Sequence, residues 1–362
     1  MAHRVTLIHG DGIGPEVVDA ARRAIEATGV PIQWDLRHMG SGAFSRTGKT
    51  LPAGTVGSIR ENGVALKGPV DTPVTSGLRN VNVTLRQELD LYANVRPCRL
   101  YPGVPSPYER VDLVVVRENT EDMYTGFEFE MGTLAAKELI RFIEGATGLT
   151  IREDSGLSIK AISEEGSERI VRFAFDWARA HGRHAVTAGH KANIMKFSDG
   201  LFLEVSRRLA AKNPDIAFED RIIDALTMQL IQAPERFDVV VLPNLYGDIA
   251  SQLGAGLIGG VGVAPGAQFG GAGGRELAVF EATHGSAPDM AGTNRANPIG
   301  LILSGAMLLL HMGEADAGLR LEGAVAAVLA EGVHVTRDLR DPGDDRPTAG
   351  TSEVVDAVVA GL

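Results

Sequence analysis

Residues 111–126, VDLVVVRENTEDMYTG, settle the fold class. The largely apolar run Val111–Val116 reads as a strand buried on both faces. It stops in a dense cluster, Arg117-Glu118-Asn119-Thr120-Glu121-Asp122-Met123-Tyr124. Open α/β sheets place their chemistry at such strand ends. Upstream, Val5–Ile8 is a second strand, running through Gly10-Asp11-Gly12-Ile13-Gly14-Pro15 into a helix over Pro15–Thr28, with Pro15 in its first turn. Val64–Gly68 is a third. Downstream, the patterning predicts a helix over Ala135–Ala146, hairpin strands within Thr150–Ala161 and a helix over Glu164–His181. A strand at His184–Ala188 precedes a helix over Asp199–Lys212 capped by Ser198. Strands follow at Arg221–Ala225, Val239–Leu242 and Ala278–Phe280, and helices at Ile249–Ile258, Pro298–Met312 and Ala315–Glu331. The polar tail Arg340–Arg346 reads as a loop. This alternation argues for an α/β architecture with a largely parallel sheet.

At 362 residues the chain has room for one large or two ordinary domains. Its net charge of −11 argues against nonspecific nucleic-acid binding, which needs a basic surface. A single cysteine, Cys98, excludes an internal disulfide and a cysteine-cluster metal site. No run approaches the ~18 apolar residues of a membrane span, and the first residues lack a signal-peptide core. The expectation is a cytoplasmic protein with no membrane partner.

Residues 79–97, RNVNVTLRQELDLYANVRP, suggest the substrate. In a helix over Arg79–Leu91, Arg79, Asn82 and Arg86 share one face. Arg96 and Arg117 add two more guanidinium groups. Their planar forks suit a small anion carrying several carboxylates. The plainer alternative is a solvated helix face. Asp224 and Asp248, read as ends of successive strands, would suit Mg²⁺ or Mn²⁺ if brought together. Lys191 and Tyr124 are candidate proton-transfer groups, and His284-Gly285 could lie against a nucleotide. Each of these residues taken singly also fits an ordinary surface or packing role. The GDGIGP turn lacks the third glycine of a dinucleotide fingerprint.

Six segments in order, spanning nearly the whole chain, carry a resemblance. They are GDGIGPE at 10–16, LRQELDLYANVRP at 85–97, RENTEDMYTG at 117–126, GHKANIMKFSDGLF at 189–202, NLYGDI at 244–249 and FEATHGSAPDMAGTNRANP at 280–298. Together they resemble the metal-dependent, NAD(P)-linked decarboxylating dehydrogenases of isocitrate, 3-isopropylmalate and homoisocitrate. The resemblance implies a two-domain α/β fold that is not the usual Rossmann sheet. Residues 1–94 and 259–362 would form a large dinucleotide-binding domain, and residues 95–258 a small domain with the metal site and dimer interface. It implies a homodimer with shared active sites, with residues 131–155 part of a dimer clasp, and makes GDGIGP a structural turn.

By the same resemblance, Arg86, Arg96 and Arg117 would hold substrate carboxylates, with Asn80 and Asn82 at the substrate's variable end. Tyr124 would protonate the enol, and Lys191 of the partner subunit would assist removal of the hydroxyl proton. Asp248 and the partner's Asp224 would bind Mg²⁺ or Mn²⁺. Thr72, His284, Gly285, Ala287, Asp289, Asn297 and Asp338 would line the dinucleotide site. NADP-linked members resemble this chain but have Lys-Tyr where it has Asp289-Met290, and a Tyr and an Arg where it has Arg337 and Asp341. The implied cofactor is therefore NAD. The pattern Asn82-x-x-Leu85-Arg86 resembles the isocitrate branch. Two departures, Asn80 for a usual Ser and Gln252 for a usual Asp, keep homoisocitrate, 3-isopropylmalate or an unusual 2-hydroxy polyacid open. A noncatalytic regulatory subunit is a further alternative, although Tyr124, Lys191 and the three arginines are all retained.

Overall fold

The structure, a computed structural model, describes residues 2–71, 79–271, 276–341 and 343–362. Elements alternate along the chain as β1 (His3–Ile8), α1 (Gly14–Ala27), β2 (Ile32–Arg37), α2 (Ser41–Thr47), α3 (Ala53–Asn62), β3 (Val64–Lys67) and α4 (Val81–Leu89). Next come β4 (Ala93–Arg99), β5 (Asp112–Glu118), β6 (Glu128–Phe129), α5 (Leu134–Thr147), β7 (Leu157–Ser158) and α6 (Glu164–Ala180). The series continues with β8 (Ala185–His190), α7 (Asp199–Ala210), β9 (Ala217–Ile222), α8 (Ile223–Gln232), β10 (Val239–Leu242) and α9 (Asn244–Leu257). Last are β11 (Ala267–Gly270), β12 (Leu277–Phe280), α10 (Ile299–His311), α11 (Ala315–Glu331) and α12 (Thr351–Ala360).

Ten strands form one mixed sheet in the order β2-β1-β3-β12-β11-β4-β5-β10-β8-β9. Both flanks are parallel, as the alternation requires. The middle is not: β12-β11, β11-β4 and β4-β5 pair antiparallel. Only six residues, 271–276, separate β11 from β12, too few for the crossover that parallel neighbours need. Helices cover both faces, so β10 is buried throughout and β5 nearly so. The core runs continuously beneath α1, α6, α10 and α11.

The GDGIGP segment is a structural turn. Gly12 has φ +59°, and a Cβ there would lie 2.0 Å from the Ser286 carbonyl oxygen. The Asp11 carboxylate accepts from the backbone N–H groups of Ser41, Gly42 and Asp71, pinning the start of α2.

Several expectations need correction. Asp224 lies in the first turn of α8, because β9 ends at Ile222. Asp248 lies inside α9, which begins at Asn244 behind the extended backbone of Pro243. Neither aspartate ends a strand. Thr150–Ala161 forms no hairpin with itself; Leu157–Ser158 pairs with Glu128–Phe129. Ser198 has helical backbone angles and its side chain caps nothing. Eight elements, β2, α2, α3, β4, β6, α8, β11 and α12, have no counterpart in the reading of the sequence.

Candidate active site

A cavity of about 650 Å³ opens where α4, the end of β5, the turn after it and α9 meet. Arg86, Arg117, Asn80, Asn82, Tyr124 and Asp248 all line it, joined by Arg79, Val83, Met123, Thr125, Gly126 and Glu128. Arg96 lies buried beside them on β4.

Sheet register explains the convergence. Asn94 and Arg96 are two residues apart on β4 and so share a face. Asn94 lies directly opposite Arg117 on β5 and Gln268 on β11. The last turn of α4 then carries Arg86 over that face, where its Nε donates to Gln268 Oε1 at 2.9 Å. Asn80 caps α4, its side-chain oxygen accepting from the N–H groups of Asn82 and Val83. The helix is therefore shorter than Arg79–Leu91, yet Asn82 and Arg86 still face the cavity.

The electrostatics are strongly cationic. Burial, then the neighbouring Arg117 charge, lowers the Arg86 guanidinium to about 10, which leaves it charged at neutral pH. Burial and then Arg117 lower Arg96 as well. Arg96 donates through Nε to Asn94 Oδ1 at 3.1 Å, and one of its terminal nitrogens is buried without a partner. Arg117 is more fully engaged. It donates through two nitrogens to Asn244 Oδ1, at 2.9 and 2.7 Å, and pairs with Asp248. Its guanidinium also stacks over the Tyr124 ring at 4.7 Å.

Beneath the arginines sits one buried carboxylate, Glu281, paired with the fully buried Lys67. Burial works to raise its pKa, but Lys67 and then Arg86 more than offset this, and the group is held below its ordinary range. Gln268 Nε2 donates to Glu281 at 2.6 Å, and Asn119 Nδ2 donates to Gln268 Oε1 at 2.9 Å. Lys67, Asn94, Asn119, Asn244, Gln268 and Glu281 were not singled out in the sequence. Their one signal is a polar residue placed inside or at the end of an apolar strand.

Tyr124 donates its hydroxyl hydrogen to Asp248 Oδ2 at 2.7 Å. Burial, then that hydrogen bond, pushes the phenol above its usual value. For Asp248, burial acts upward, but Arg117, the Tyr124 hydroxyl, Arg96 and Arg86 together outweigh it and the carboxyl is held low. Lys191 and Asp224 pair with each other and do not line this cavity. That contact lowers Asp224. Among the described residues, no group of three metal-ligating side chains comes together. Asp248 alone still suits a hard cation, since Mg²⁺ is commonly held by one or two carboxylates, with waters and substrate oxygens completing the shell. Gln252, one turn further along α9, is exposed.

The loop after β12 carries His284, Gly285, Ala287 and Asp289. His284 Nδ1 donates to the Gly285 carbonyl at 3.0 Å, which leaves Nε2 as a buried acceptor without a partner. Burial lowers its pKa, so the ring is neutral. Ala287 sits at φ +37°, just before the short turn that holds the exposed Asp289. Asn297 Nδ2 donates to Asp338 Oδ2 at 2.9 Å, and Thr336 donates to the other oxygen at 2.5 Å. Asp338 thus links its own turn to the residue that precedes the Pro298 cap of α10. Thr72 lies outside the described residues.

The profile of one protein family, described as isocitrate/isopropylmalate dehydrogenase, matches residues 4–358. The chain belongs to the isocitrate/isopropylmalate dehydrogenase family. It is 43% identical over 334 residues to the mitochondrial NAD isocitrate dehydrogenase catalytic subunit 5 of Arabidopsis thaliana, covering 92% of this chain and 83% of that one. The chloroplastic 3-isopropylmalate dehydrogenase of Solanum tuberosum is 43% identical, covering 91% of this chain and 86% of that one. An NADP isocitrate dehydrogenase of Archaeoglobus fulgidus is 42% identical, covering 99% and 92%. The crystal structure of isocitrate dehydrogenase from Methylococcus capsulatus superposes with a TM-score of 0.89 at 48% identity, covering 99% of both chains. Family membership makes the chain a dehydrogenase linked to NAD or NADP. Among the described residues, no helix is long and apolar enough to cross a membrane.

Proposed function

We propose that the chain is an NAD-dependent isocitrate dehydrogenase that converts isocitrate to 2-oxoglutarate and CO₂, working with Mg²⁺ or Mn²⁺ as a homodimer. The observation that carries this reading is the gathering of Arg86 and Arg117 in one cavity, with Arg96 buried next to them and Asn80 and Asn82 on the α4 wall. A tricarboxylate needs several fixed cations, and Asn80 and Asn82 suit a third carboxylate better than an isopropyl group. Asn80 also makes sense as a replacement for Ser: both are good helix caps. Its oxygen caps α4, leaving its amide N–H free to donate to substrate.

A bound cation supplies Lewis-acid polarisation at the C2 oxygen, and NAD supplies the hydride acceptor. The protein supplies the rest. The guanidinium groups bind the carboxylates and fix C2–H toward the nicotinamide side. The partner subunit's Lys191 takes the hydroxyl proton. Once the C–CO₂ bond breaks and its electron pair forms the enolate, Tyr124 gives its proton to the carbon that lost CO₂. A hydroxyl held above its ordinary pKa keeps that proton at working pH.

Two features support the shared site. Lys191 and Asp224 are paired away from their own chain's cavity. Around them lie exposed apolar side chains: Phe197 at 95% exposure, Ile194, and Met228, Ile231 and Ile249 on α8 and α9. An arm over residues 127–149 exposes Phe127, Met131, Leu134, Phe142 and Leu149 in turn. Such patches mark contact surfaces. We also infer the division into residues 1–94 with 259–362 and residues 95–258. Strands β2, β1, β3, β12 and β11 fall in the first set and the other five fall almost entirely in the second. NAD is favoured because the Asp289 carboxylate would accept from ribose hydroxyls and repel a 2′-phosphate.

The test is steady-state kinetics with isocitrate, homoisocitrate and 3-isopropylmalate, each with NAD and NADP. The expected result is the highest kcat/KM for isocitrate with NAD. A preference for either other acid would refute the substrate assignment, and a preference for NADP would refute the cofactor.

A further inference from the structure

The three buried guanidinium groups at the cavity are each held through Nε by the oxygen of a neutral amide: Arg86 by Gln268, Arg96 by Asn94 and Arg117 by Asn244. A carboxylate is the stronger partner for arginine, but it also neutralises it. An amide fixes the direction of the fork and leaves the charge in place. The carboxylates nearby are otherwise engaged. Glu281 pairs with Lys67 and stays 3.8 Å from Arg86, and Asp248 serves Arg117. Among the described residues, Arg86 makes no hydrogen bond through its terminal nitrogens, and Arg96 leaves one of its own buried without a partner.

We propose that Asn94 and Gln268 are positioning residues that aim Arg96 and Arg86 while leaving their charge for the carboxylates of the substrate. The inference deepens the proposed function and rests on it for the identity of the anion. Their placement fits: Gln268 and Asn94 face each other across β11 and β4, and both are 1% exposed. Neither has room to swing away, and neither is among the residues that line the cavity.

The structure offers a clean substitution. Asn94 Nδ2 is buried and bonds to nothing. Asn94→Asp therefore exchanges an unused N–H₂ for an oxygen, keeps the acceptor for Arg96 and adds only charge. Between Arg96 and Arg117 the new carboxylate would remain ionised. The KM for isocitrate should rise about tenfold or more, with the KM for NAD and kcat changed by less than about threefold. Gln268→Met removes the acceptor without adding charge and should raise the isocitrate KM by a smaller factor, about three- to fivefold.

Calorimetric binding of tricarballylate, a tricarboxylate that cannot be oxidised at C2, separates this inference from the proposed function. Weaker tricarballylate binding by both variants, at unchanged melting temperature, is the expected result. If wild type binds tricarballylate but does not turn over isocitrate, the proposed function fails and the positioning role stands. If Asn94→Asp and Gln268→Met both bind tricarballylate within twofold of wild type, the amides are structural and the inference is overturned. Should Asn94→Asp not fold, unchanged affinity in Gln268→Met alone would overturn it.

Discussion

Asp248 shows how one side chain serves both stability and chemistry. Burial works against its charge, but Arg117, the Tyr124 hydroxyl and the two other arginines hold the carboxyl below its ordinary value. A group depressed on folding stabilises the native state above its unfolded pKa, and that contribution is lost as pH falls through the folded value. Asp248→Asn should therefore flatten the decline of stability with acidification below about pH 4, as read by urea unfolding at a series of pH values. It should also cost about 3 kcal/mol near neutrality, because Arg117 is 1% exposed and would lose its charged partner. An acid limb unchanged from wild type would mean that Asp248 does not feel Arg117. Residue types and spacing pointed in the sequence to the arginines, Tyr124 and Asp248. The amides that orient the arginines were not legible there. Arg86 and Gln268 lie 182 positions apart, and a lone Gln in a short strand carries no local sign of its partner.

At the scale of elements, α4 joins the fold to the site. Its amphipathic pattern was readable, and its first turn depends on the cap that Asn80 provides. Asn80→Ala should lower stability by about 1 kcal/mol in thermal or urea unfolding, while Asn80→Ser should leave it nearly unchanged. Equal losses in the two variants would contradict the capping role. The sequence misled most at β9–α8 and β10–α9. Both aspartates looked like strand-end residues because short apolar runs precede them. β9 stops sooner than expected, at Ile222, and β10 ends at Leu242 as expected, but in both cases a helix begins within two residues and takes in the aspartate. Glycine and tyrosine near the start of α9 weaken its local helix signal, so its packing against β5 and β4, rather than propensity, accounts for the helix. The parallel flanks of the sheet were legible from strand and helix alternation. Its antiparallel centre was not, since the order of β12, β11, β4 and β5 depends on contacts between distant segments.

The molecule as a whole carries half of two sites. Its cavity holds the arginines, Tyr124 and Asp248, whereas Lys191 and Asp224 face outward among exposed apolar side chains. An isologous pair of chains would complete both cavities at once. The most direct measurement mixes two variants, Tyr124→Phe and Lys191→Met, each expected to have lost most activity. They are unfolded together, refolded, and assayed for NADH formation from isocitrate. Each mixed dimer contains one cavity with both groups intact, so random pairing should restore about a quarter of wild-type activity. Recovery to that level would support a tricarboxylate dehydrogenase whose site is shared between two copies. No recovery, with mixed dimers demonstrated by mass, would contradict it.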